Sequence, residues 1–445
     1  MHHKKFTRRG FIRTGTTGAA AAGFAGKTFA RPAAPKLAIN GGAPVRTKAF
    51  QQWPQLFGKE EQRLAEVLHS GKWFLGGGKQ NGIFEKQFAA LMDSQYAIAT
   101  ASGTTALLTA LEAVDVQPGD EVLVSSYTWV ASATVILQKK AIPVFVDSDP
   151  DTFQMNPELI ENKITDRTRA IIPVHHCGYP CDMDRIMTIA RRHNIAVVED
   201  AAQAHMALYG GKKIGSIGDI GCFSFQVSKC LPAGEGGACI TENEELADFC
   251  YRYHSVCNHP TKPKKNGFST MSTNFRLTEF QAVLLQEQLS GLEERAAHRH
   301  ANVEYLNSLL EDVPGITPAR LSPGCERGAY YNYQARYDAE QFKGLSRDKF
   351  INALQKEGVS CWGGWKVPLN REGFVEHSLQ SRGFKRLYSP QYLDRYRANS
   401  HCPASDDICA NTFQMKQNLF LGPKSDMDQI AEAIAKIQKA AASIS

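Results

Sequence analysis

Lys229 is the side chain whose type and position in this sequence point most strongly to a role in chemistry. Residues 222–229 place the hydroxyl of Ser224 at the end of an apolar run and the lysine five residues later, before the glycine-rich residues 234–237. An amine that is partly desolvated and close to other cations loses its charge more easily and becomes a nucleophile. A single lysine is usually a solvated surface charge, but this position favours a reactive amine.

A carboxylate ends a second apolar run. Residues 196–198, Ala-Val-Val, lead directly into Glu199 and Asp200, and Gln203 and His205 follow closely. In an open parallel sheet, ligands bind beyond the carboxyl ends of the strands. An acid at that place is suited to keeping the ring nitrogen of a heterocyclic cofactor protonated.

The segment Ser102-Gly103-Thr104-Thr105 has the features of a phosphate-binding turn. It follows a predicted strand and opens a predicted helix, so the free amides at the helix N-terminus would face an anion, and Gly103 would allow the backbone to approach it. The alternative is that Ser102 is an ordinary helix N-cap.

Trp129 follows a further predicted strand, in Ser-Tyr-Thr-Trp-Val at 126–130. Its ring could lie on the face of a flat cofactor, or it could pack in the core. A weak metal signal comes from His175, His176, Cys177 and Cys181, but no pair of cysteines has zinc-finger spacing. We therefore predict no metal site and interpret most of the eleven cysteines as core thiols.

The elements that must position these residues alternate between strand and helix, which predicts an α/β fold with a mostly parallel sheet of seven strands. The predicted strands span residues 96–101, 121–125, 142–146, 170–174, 195–199, 220–225 and 237–241. The predicted helices between them span residues 104–113, 131–138, 156–163 and 183–193. Residues 274–313 are predicted to be mainly helical.

The C-terminal part has strand and helix patterns of its own, with a strand over 330–337 and helices capped by Ser346 and Ser425. We predict three segments: a signal over residues 1–30, a large cofactor-binding domain over 31–292, and a smaller α/β domain over 293–445.

Charge argues against a nucleic-acid partner. The chain of 445 residues has a formal net charge of +6, but six basic residues and no acidic ones lie within residues 1–30. Without those six, the remaining 45 basic residues equal the 45 acidic ones in number. A chain whose residues after position 30 have no net charge cannot provide the positive electrostatic field that binds a nucleic-acid phosphate backbone.

Residues 1–30 resemble a twin-arginine export signal. Arg8 and Arg9 precede Phe11 and Ile12, and a run of small residues follows through Ala25. This predicts export to the periplasm or another extracytoplasmic space, with the cytoplasm as the location if the segment does not act as a signal. The alternative is a disordered basic tail. The run is too short and too rich in glycine and threonine for a stable membrane span.

Taken together and in this order, Gly103-Thr104, residues 199–205, Ser224 with Lys229, and residues 234–237 resemble the DegT/DnrJ/StrS aminotransferases. The resemblance covers about residues 37–440. It implies a fold-type-I enzyme dependent on pyridoxal 5′-phosphate. Residues 37–46, Trp53-Pro54, and Gln226-Val227 in place of the His-Pro of many sugar aminotransferases indicate the branch of inosose aminotransferases and aminohydroxybenzoate synthases.

The resemblance also implies a role for each site residue. Lys229 would form the internal aldimine, Asp200 would pair with the pyridinium nitrogen, Gln203 would contact the ring or its phenolic oxygen, and Trp129 would stack on the ring. The phosphate would be held by Ser102, Gly103, Thr104 and Ser224. Asn274, in Thr-Asn-Phe-Arg at 273–276, would reach the phosphate of a partner subunit, which implies a homodimer with a shared active site.

The implied activity is transfer of an amino group from glutamate or glutamine to a keto-sugar or keto-cyclitol. Three alternatives remain: a dehydratase or aromatising synthase on the same scaffold, a non-catalytic binding protein with this fold, and a thiol or metal protein. Candidates for contact with the acceptor are Lys79, Asn258, His259 and Trp365.

Overall fold

A computed structural model describes residues 36–257 and 271–444 of the chain. The predicted export signal over residues 1–30 lies outside the described residues, as do the candidate acceptor contacts Asn258 and His259. The described residues belong to one compact unit, Pro35–Ser445. The domain boundary between residues 292 and 293 stays a prediction.

Thirteen strands occur in the described part of the chain. They are β1 (Tyr96–Thr100), β2 (Glu121–Ser125), β3 (Ile142–Val146), β4 (Thr168–Ile172), β5 (Ala196–Asp200), β6 (Leu208–Tyr209), β7 (Lys212–Lys213), β8 (Ile220–Ser224), β9 (Gly237–Thr241), β10 (Ile316–Pro318), β11 (Cys325–Arg327), β12 (Asn332–Tyr337) and β13 (Thr412–Lys416).

The same residues form fourteen α-helices. They are α1 (Glu60–Ser70), α2 (Gln80–Leu91), α3 (Gly103–Ala113), α4 (Ala131–Gln138), α5 (Met183–His193), α6 (Glu244–His254), α7 (Glu279–Leu289), α8 (Leu292–Leu310), α9 (Arg347–Lys356), α10 (Gly373–Leu379), α11 (Arg382–Leu387), α12 (Pro390–Asn399), α13 (Pro403–Asn411) and α14 (Lys424–Ala440).

The main sheet has seven strands in the order β1-β9-β8-β5-β4-β2-β3. β9 pairs antiparallel with both β1 and β8, and the other pairings are parallel. This confirms the predicted mostly parallel sheet of seven strands. The carboxyl ends of β1, β5 and β8 lie at the same edge of this sheet, which brings Ser102, Asp200 and Ser224 to one side of the molecule.

Both faces of this sheet are covered, which explains why its strands are apolar throughout. Side chains alternate between two separate cores: Leu123 faces the core that contains Phe88 of α2, while Val122 and Val124 face the core that contains Leu107 of α3. Alternation with a period of two assigns neighbouring residues of one strand to opposite faces.

A second sheet of three strands, in the order β10-β12-β13, packs with α8, α9 and α14 around a third core. Ser346 caps α9 as predicted, because its hydroxyl accepts a hydrogen bond from Lys349 N. The strand predicted from residue 330 begins only at Asn332, since Tyr330 adopts the left-handed conformation with φ 47°.

Two predicted elements are wrong in detail. The helix expected over residues 156–163 is a pair of 3₁₀ turns, Pro157–Leu159 and Glu161–Lys163, because Asn156 caps the first turn and Ile164 is already extended. The last helix begins at Lys424 and not after Ser425, because Pro423 fixes an extended backbone immediately before it. Among the described helices, none has the length and apolar character needed to cross a bilayer.

Candidate active site

A cleft of about 710 Å³ lies beyond the carboxyl ends of β1, β5 and β8 and reaches the second sheet. Eight of the nine cofactor residues predicted from the sequence line it: Ser102, Gly103, Thr104, Trp129, Asp200, Gln203, Ser224 and Lys229. Polar and aromatic side chains from the C-terminal part complete its wall, among them Tyr331, Asn332, Trp362, Trp365 and Gln414. The fold therefore brings together residues that lie far apart in sequence.

Lys229 presents a free amine to this cleft. Its Nζ makes no hydrogen bond or ion pair with any residue that the structure describes, and it lies 4.1 Å from the ring centroid of Tyr331. Burial lowers the pKa of Lys229 below its ordinary value, and the carboxylate of Asp200 opposes that shift. The net lowering of the pKa agrees with an amine that can act as a nucleophile and as a proton carrier.

Asp200 is held in place by two donors. Ser132 Oγ donates to its Oδ2 at 2.7 Å, and the amide of Ala202 donates to Oδ1 at 3.2 Å. Burial raises the pKa of Asp200, while these hydrogen bonds and the Lys229 charge act in the opposite direction. A buried carboxylate whose negative charge is balanced by so few donors is suited to pairing with a cationic group in the cleft.

The N-terminus of α3 forms an anion cradle. Ser102 caps the helix, with Thr105 N donating to its Oγ at 3.1 Å and Thr105 Oγ1 accepting from Ser102 N at 2.9 Å. Among the described residues, no hydrogen bond uses the amides of Gly103 and Thr104. Ser102 is thus a helix N-cap that also lines the cleft. The amides of Gly103 and Thr104 are better placed than the Ser102 hydroxyl to donate hydrogen bonds to an anion.

Gly103 is required by the close approach of α3 to β8. A Cβ atom on Gly103 would lie 2.7 Å from Ser224 Cβ and 3.3 Å from Ser224 Oγ. Contacts that short force the backbone apart. The glycine therefore places the α3 amides and the Ser224 hydroxyl around the same small space.

Gln203 and Trp129 border the cleft in different ways. The Gln203 side-chain oxygen accepts a hydrogen bond from Cys177 N at 2.8 Å, which directs its amide nitrogen away from that contact. Trp129 is 53% exposed, and its ring centroid lies 5.4 Å from that of Trp365. The alternative that Trp129 is a core residue is therefore wrong.

Other predicted residues lie elsewhere. Asn274 pairs with Ser255 in an isolated bridge and does not line the cleft of its own chain. Lys79 lines a different cavity, together with Phe74 and Arg276. Of the candidates for contact with the acceptor, Trp365 lies in the cleft. The role of Asn274 toward a partner subunit stays a prediction.

The histidines and cysteines at 175–181 are engaged in other contacts. His175 Nε2 donates to Glu199 Oε2 at 3.1 Å, and His175 Nδ1 accepts from Cys181 N at 3.1 Å, so both ring nitrogens are used. Within the described ranges, no group of three or more histidine, cysteine, aspartate or glutamate side chains is arranged to hold a metal ion. All eleven cysteines are free thiols, and ten of them are buried.

Glu199 supports the site from behind. Its carboxylate accepts hydrogen bonds from the amides of Gly215, Ile217 and Gly218 at 2.6–2.8 Å, in addition to the one from His175. Burial raises the pKa of Glu199, but these donors outweigh it and leave the pKa below its ordinary value. Glu199 and Asp200 are neighbours in β5, so their side chains point to opposite faces.

We expect Glu199→Gln to lower the free energy of unfolding by about 3–5 kcal/mol, because an amide cannot accept from all of these donors and the buried charge is lost. Urea unfolding at pH 7 measures this, with Glu311→Gln on the surface as the matched control. Since the pKa is lowered in the folded state, the contribution is present above the ordinary glutamate pKa. It is lost as the pH falls through the folded value. A loss equal to the control would contradict this role.

Three contacts in the site were missed from the sequence. Ser132 orients Asp200, Tyr331 faces Lys229, and Trp53 Nε1 donates to the carbonyl oxygens of Val227 and Lys229 at 3.0 and 3.1 Å. The one sequence signal for Ser132 was its place on the helix that follows Trp129. Tyr331 comes from a distant segment without such a signal, and the Trp53-Pro54 pair indicates the family branch but not a contact with Lys229.

Comparison with known proteins agrees with this geometry. Residues 54–435 match the DegT/DnrJ/EryC1/StrS aminotransferase family. The L-glutamine:2-deoxy-scyllo-inosose aminotransferase of Streptoalloteichus tenebrarius is 36% identical over 426 residues, covering 90% of this chain and 97% of that protein. The protein of the same name from Streptomyces kanamyceticus is 36% identical over 417 residues, covering 90% and 96%.

Solved structures give the same result. The crystal structure of 3-amino-5-hydroxybenzoic acid synthase superimposes with a TM-score of 0.78 at 29% identity, covering 88% of this chain and 99% of that one. DesV of S. venezuelae, solved in complex with a ketimine intermediate, gives 0.72 at 29% identity, covering 85% and 94%. These likenesses confirm the predicted fold class and branch, and the protein is an enzyme of the transaminase type. The chain belongs to the DegT/DnrJ/EryC1/StrS aminotransferase family.

Proposed function

We propose that this enzyme transfers the amino group of L-glutamine or glutamate to a keto-cyclitol of the inosose class, using pyridoxal 5′-phosphate held by Lys229. The observation that carries the proposal is the free amine of Lys229, which shares one cleft with the anion cradle of α3 and the buried carboxylate of Asp200. The names of the relatives supply the donor and the acceptor class.

The cleft fits this cofactor at both ends. The amides of Gly103 and Thr104 with the hydroxyl of Ser224 would hold the phosphate, and Asp200 would pair with the ring nitrogen. Gln203 and Trp129 are placed to contact the ring. The bound cofactor supplies an electron sink for the negative charge that develops at the substrate carbon when a proton leaves it.

The remaining steps depend on two side chains of the protein, Lys229 and Asp200. Once the donor amine has replaced the lysine amine on the cofactor, Lys229 would be free to take a proton from the donor α-carbon and to deliver it to the cofactor carbon that bears the donor nitrogen. Burial lowers the pKa of Lys229, which favours the neutral amine that a base requires. Asp200, which Ser132 orients, would keep the ring nitrogen protonated during this transfer.

The acceptor would lie against the wall from the C-terminal part of the chain. Trp362 and Trp365 offer apolar faces for the C–H side of a polyol ring, and the side-chain oxygen of Asn332 offers a hydrogen-bond acceptor to its hydroxyl groups. This combination of apolar surface and a polar amide suits a neutral polyhydroxylated ring.

The test is a pair of half-reactions. The protein with bound pyridoxal phosphate is mixed with L-glutamine, and the loss of the absorbance band of the bound cofactor is followed. A panel of inososes and keto-sugars is then added. We expect the absorbance to return with an inosose and the aminated cyclitol to appear in the mass spectrum. Return with nucleotide-linked keto-sugars alone would contradict the proposed acceptor.

Likeness to 3-amino-5-hydroxybenzoic acid synthase favours a second candidate, a dehydrating and aromatising activity on the same scaffold. It would begin with the same lysine and cofactor. Product analysis separates the two, because aromatisation gives a strong ultraviolet absorbance and loss of water, whereas amination of a cyclitol gives neither.

We expect Gly103→Ala to weaken binding of pyridoxal phosphate about tenfold, a loss of the size expected when one close contact in a ligand site is spoiled. The added methyl group would displace Ser224 from the phosphate position. Fluorescence titration with pyridoxal phosphate measures the affinity. Gly373→Ala is the matched control, since nothing lies within 4 Å of a Cβ there. Equal affinity in both variants would argue against a phosphate at the α3 N-terminus.

We also propose that the enzyme works as a homodimer in which Asn274 reaches the phosphate of the partner subunit. The support is the family resemblance and the place of Asn274 outside the cleft of its own chain. Mass photometry tests the dimer. Mixing Lys229→Ala with Asn274→Ala chains tests the shared site, because one intact site per mixed dimer should restore activity.

Export by the twin-arginine route is proposed from residues 1–30. Cell fractionation with and without Arg8→Lys and Arg9→Lys tests it, and a cytoplasmic location of both forms would contradict it. The route carries folded proteins, so the cofactor would be bound before export.

A further inference from the structure

We propose that Tyr331 is a positioning residue for Lys229, whose ring receives the lysine amino group whenever it is not bound to the cofactor. The inference rests on the proposed function, since it concerns the same lysine. It assigns a role to a residue of the C-terminal part of the chain, which approaches the reactive lysine of the large sheet.

The first observation is the position of the amino group. Lys229 Nζ lies 4.1 Å from the centroid of the Tyr331 ring, and it makes no hydrogen bond or ion pair with the described residues. A desolvated ammonium group over an aromatic face is stabilised by the negative face of the ring. The ring is therefore a partner at short range that can offset the cost of burying this charge.

The second observation is that both sides of the contact are anchored. Trp53 Nε1 donates to the carbonyl oxygen of Lys229 at 3.1 Å, and the amide of Lys229 donates to the carbonyl oxygen of Gln226 at 2.8 Å. The Tyr331 hydroxyl lies 2.8 Å from Ser228 Oγ, which donates to Gln226 Oε1 at 2.6 Å. Lysine and tyrosine are thus fixed through one residue, Gln226.

Gln226 is the residue that distinguishes this chain from the His-Pro pattern noted above. Its side-chain oxygen accepts from both the amide and the hydroxyl of Ser228, at 2.9 and 2.6 Å. Proline at 227 or histidine at 226 would not provide this acceptor in the same way. The connection from Gln226 through Ser228 to Tyr331 is accordingly a local feature that holds the ring under the amine.

Other groups also act on the Lys229 charge. Asp200 on β5 favours the charged form of Lys229, whereas burial raises the pKa of the Cys177 thiol and keeps it uncharged. His176 does not compete, because burial first, and the Lys229 charge second, lower its pKa to about 3 and leave it neutral. His205 is neutral for the same reasons. Tyr331 adds to the effect of Asp200 without placing a second negative charge near the cofactor.

The test measures the amine directly and does not depend on turnover. The full-length chain in its cofactor-free form is labelled with trace acetic anhydride over a range of pH, and the Lys229 peptide is quantified by mass spectrometry relative to the exposed Lys212. We expect Tyr331→Leu to lower the pH midpoint for Lys229 by about 0.5–1 unit, and to raise labelling near neutral pH about three- to tenfold.

Two variants control for structure. Tyr331→Phe keeps the ring but loses the hydroxyl contact with Ser228 Oγ, so its midpoint should lie between those of the wild type and Tyr331→Leu. Tyr305→Leu, outside the cleft, should leave the midpoint unchanged. If the substitution only made the amine more accessible to the reagent, labelling would rise by the same factor at every pH and the pH midpoint would not change. If Tyr331→Leu does not fold, Tyr331→Met serves as the ring-free variant.

An unchanged midpoint without the ring, or an equal shift in Tyr331→Phe, would overturn the role of Tyr331. Neither result would bear on whether Lys229 binds the cofactor, which wild-type protein reveals separately by its absorbance with pyridoxal phosphate. Failure of the inference and failure of the proposed function are thus distinguishable.

Discussion

Replacing Lys229 with alanine is expected to lower kcat on the order of 10⁴-fold, because in the proposed mechanism one side chain would supply both the link to the cofactor and the group that moves the proton. The variant should still bind pyridoxamine phosphate, since the α3 amides, Ser224 and Asp200 are unchanged. Stopped-flow kinetics with glutamine and an inosose measure turnover, and equilibrium dialysis measures cofactor binding.

Lys212→Ala is the matched control for this loss, because Lys212 is an exposed lysine outside the cleft. It should retain wild-type turnover. Full activity in Lys229→Ala would remove the central role given to this lysine. Loss of cofactor binding together with unfolding would instead assign Lys229 to the stability of the fold.

Asp200→Asn is expected to lower kcat about 100- to 1000-fold, the range seen when one preorganised electrostatic contact to a developing charge is lost. An amide cannot hold the ring nitrogen in its cationic form, so the negative charge at the substrate carbon would be less delocalised. The change is nearly isosteric and keeps the possibility of a hydrogen bond from Ser132, so the fold should persist. Single-turnover measurement of the glutamine half-reaction reports the effect.

Two variants sharpen that measurement. Asp312→Asn, at an exposed position, should have no effect on the half-reaction. Ser132→Ala should have a smaller effect than Asp200→Asn, because the carboxylate remains but loses the donor at 2.7 Å. Equal rates in Asp200→Asn and wild type would show that the carboxylate does not act on the cofactor ring.

Much of the site could be predicted because parallel strands place their carboxyl ends at one edge. Ser102 after β1, Asp200 at the end of β5 and Ser224 at the end of β8 are each visible as polar residues after an apolar run. Their convergence follows from the alternation of strands and helices. The family resemblance added the individual roles.

The two adjacent carboxylates of β5 mark the limit of that reasoning. The sequence shows Glu199 and Asp200 side by side, but only the structure shows that one accepts from backbone amides behind the sheet and the other faces the cleft. Alternation along a strand requires that they diverge, yet it does not determine which of the two faces the ligand.

The contacts of Tyr331 and Trp53 with Lys229 could not be predicted either, but the reason is different. Both reach Lys229 from segments that precede or follow it by about a hundred residues or more, and their contacts depend on tertiary packing. Aromatic residues at such positions are normally part of a core. The local pattern of Gln226 and Ser228 likewise gave no indication that they anchor a distant tyrosine.

The most direct test of the account is to locate the cofactor in the wild-type protein. Pyridoxal phosphate is added to the full-length chain, the complex is reduced with borohydride, and the modified peptide is identified by mass spectrometry. The account predicts a phosphopyridoxyl group on Lys229, together with loss of the absorbance band of the bound cofactor. Modification of a different lysine, or none at all, would contradict it.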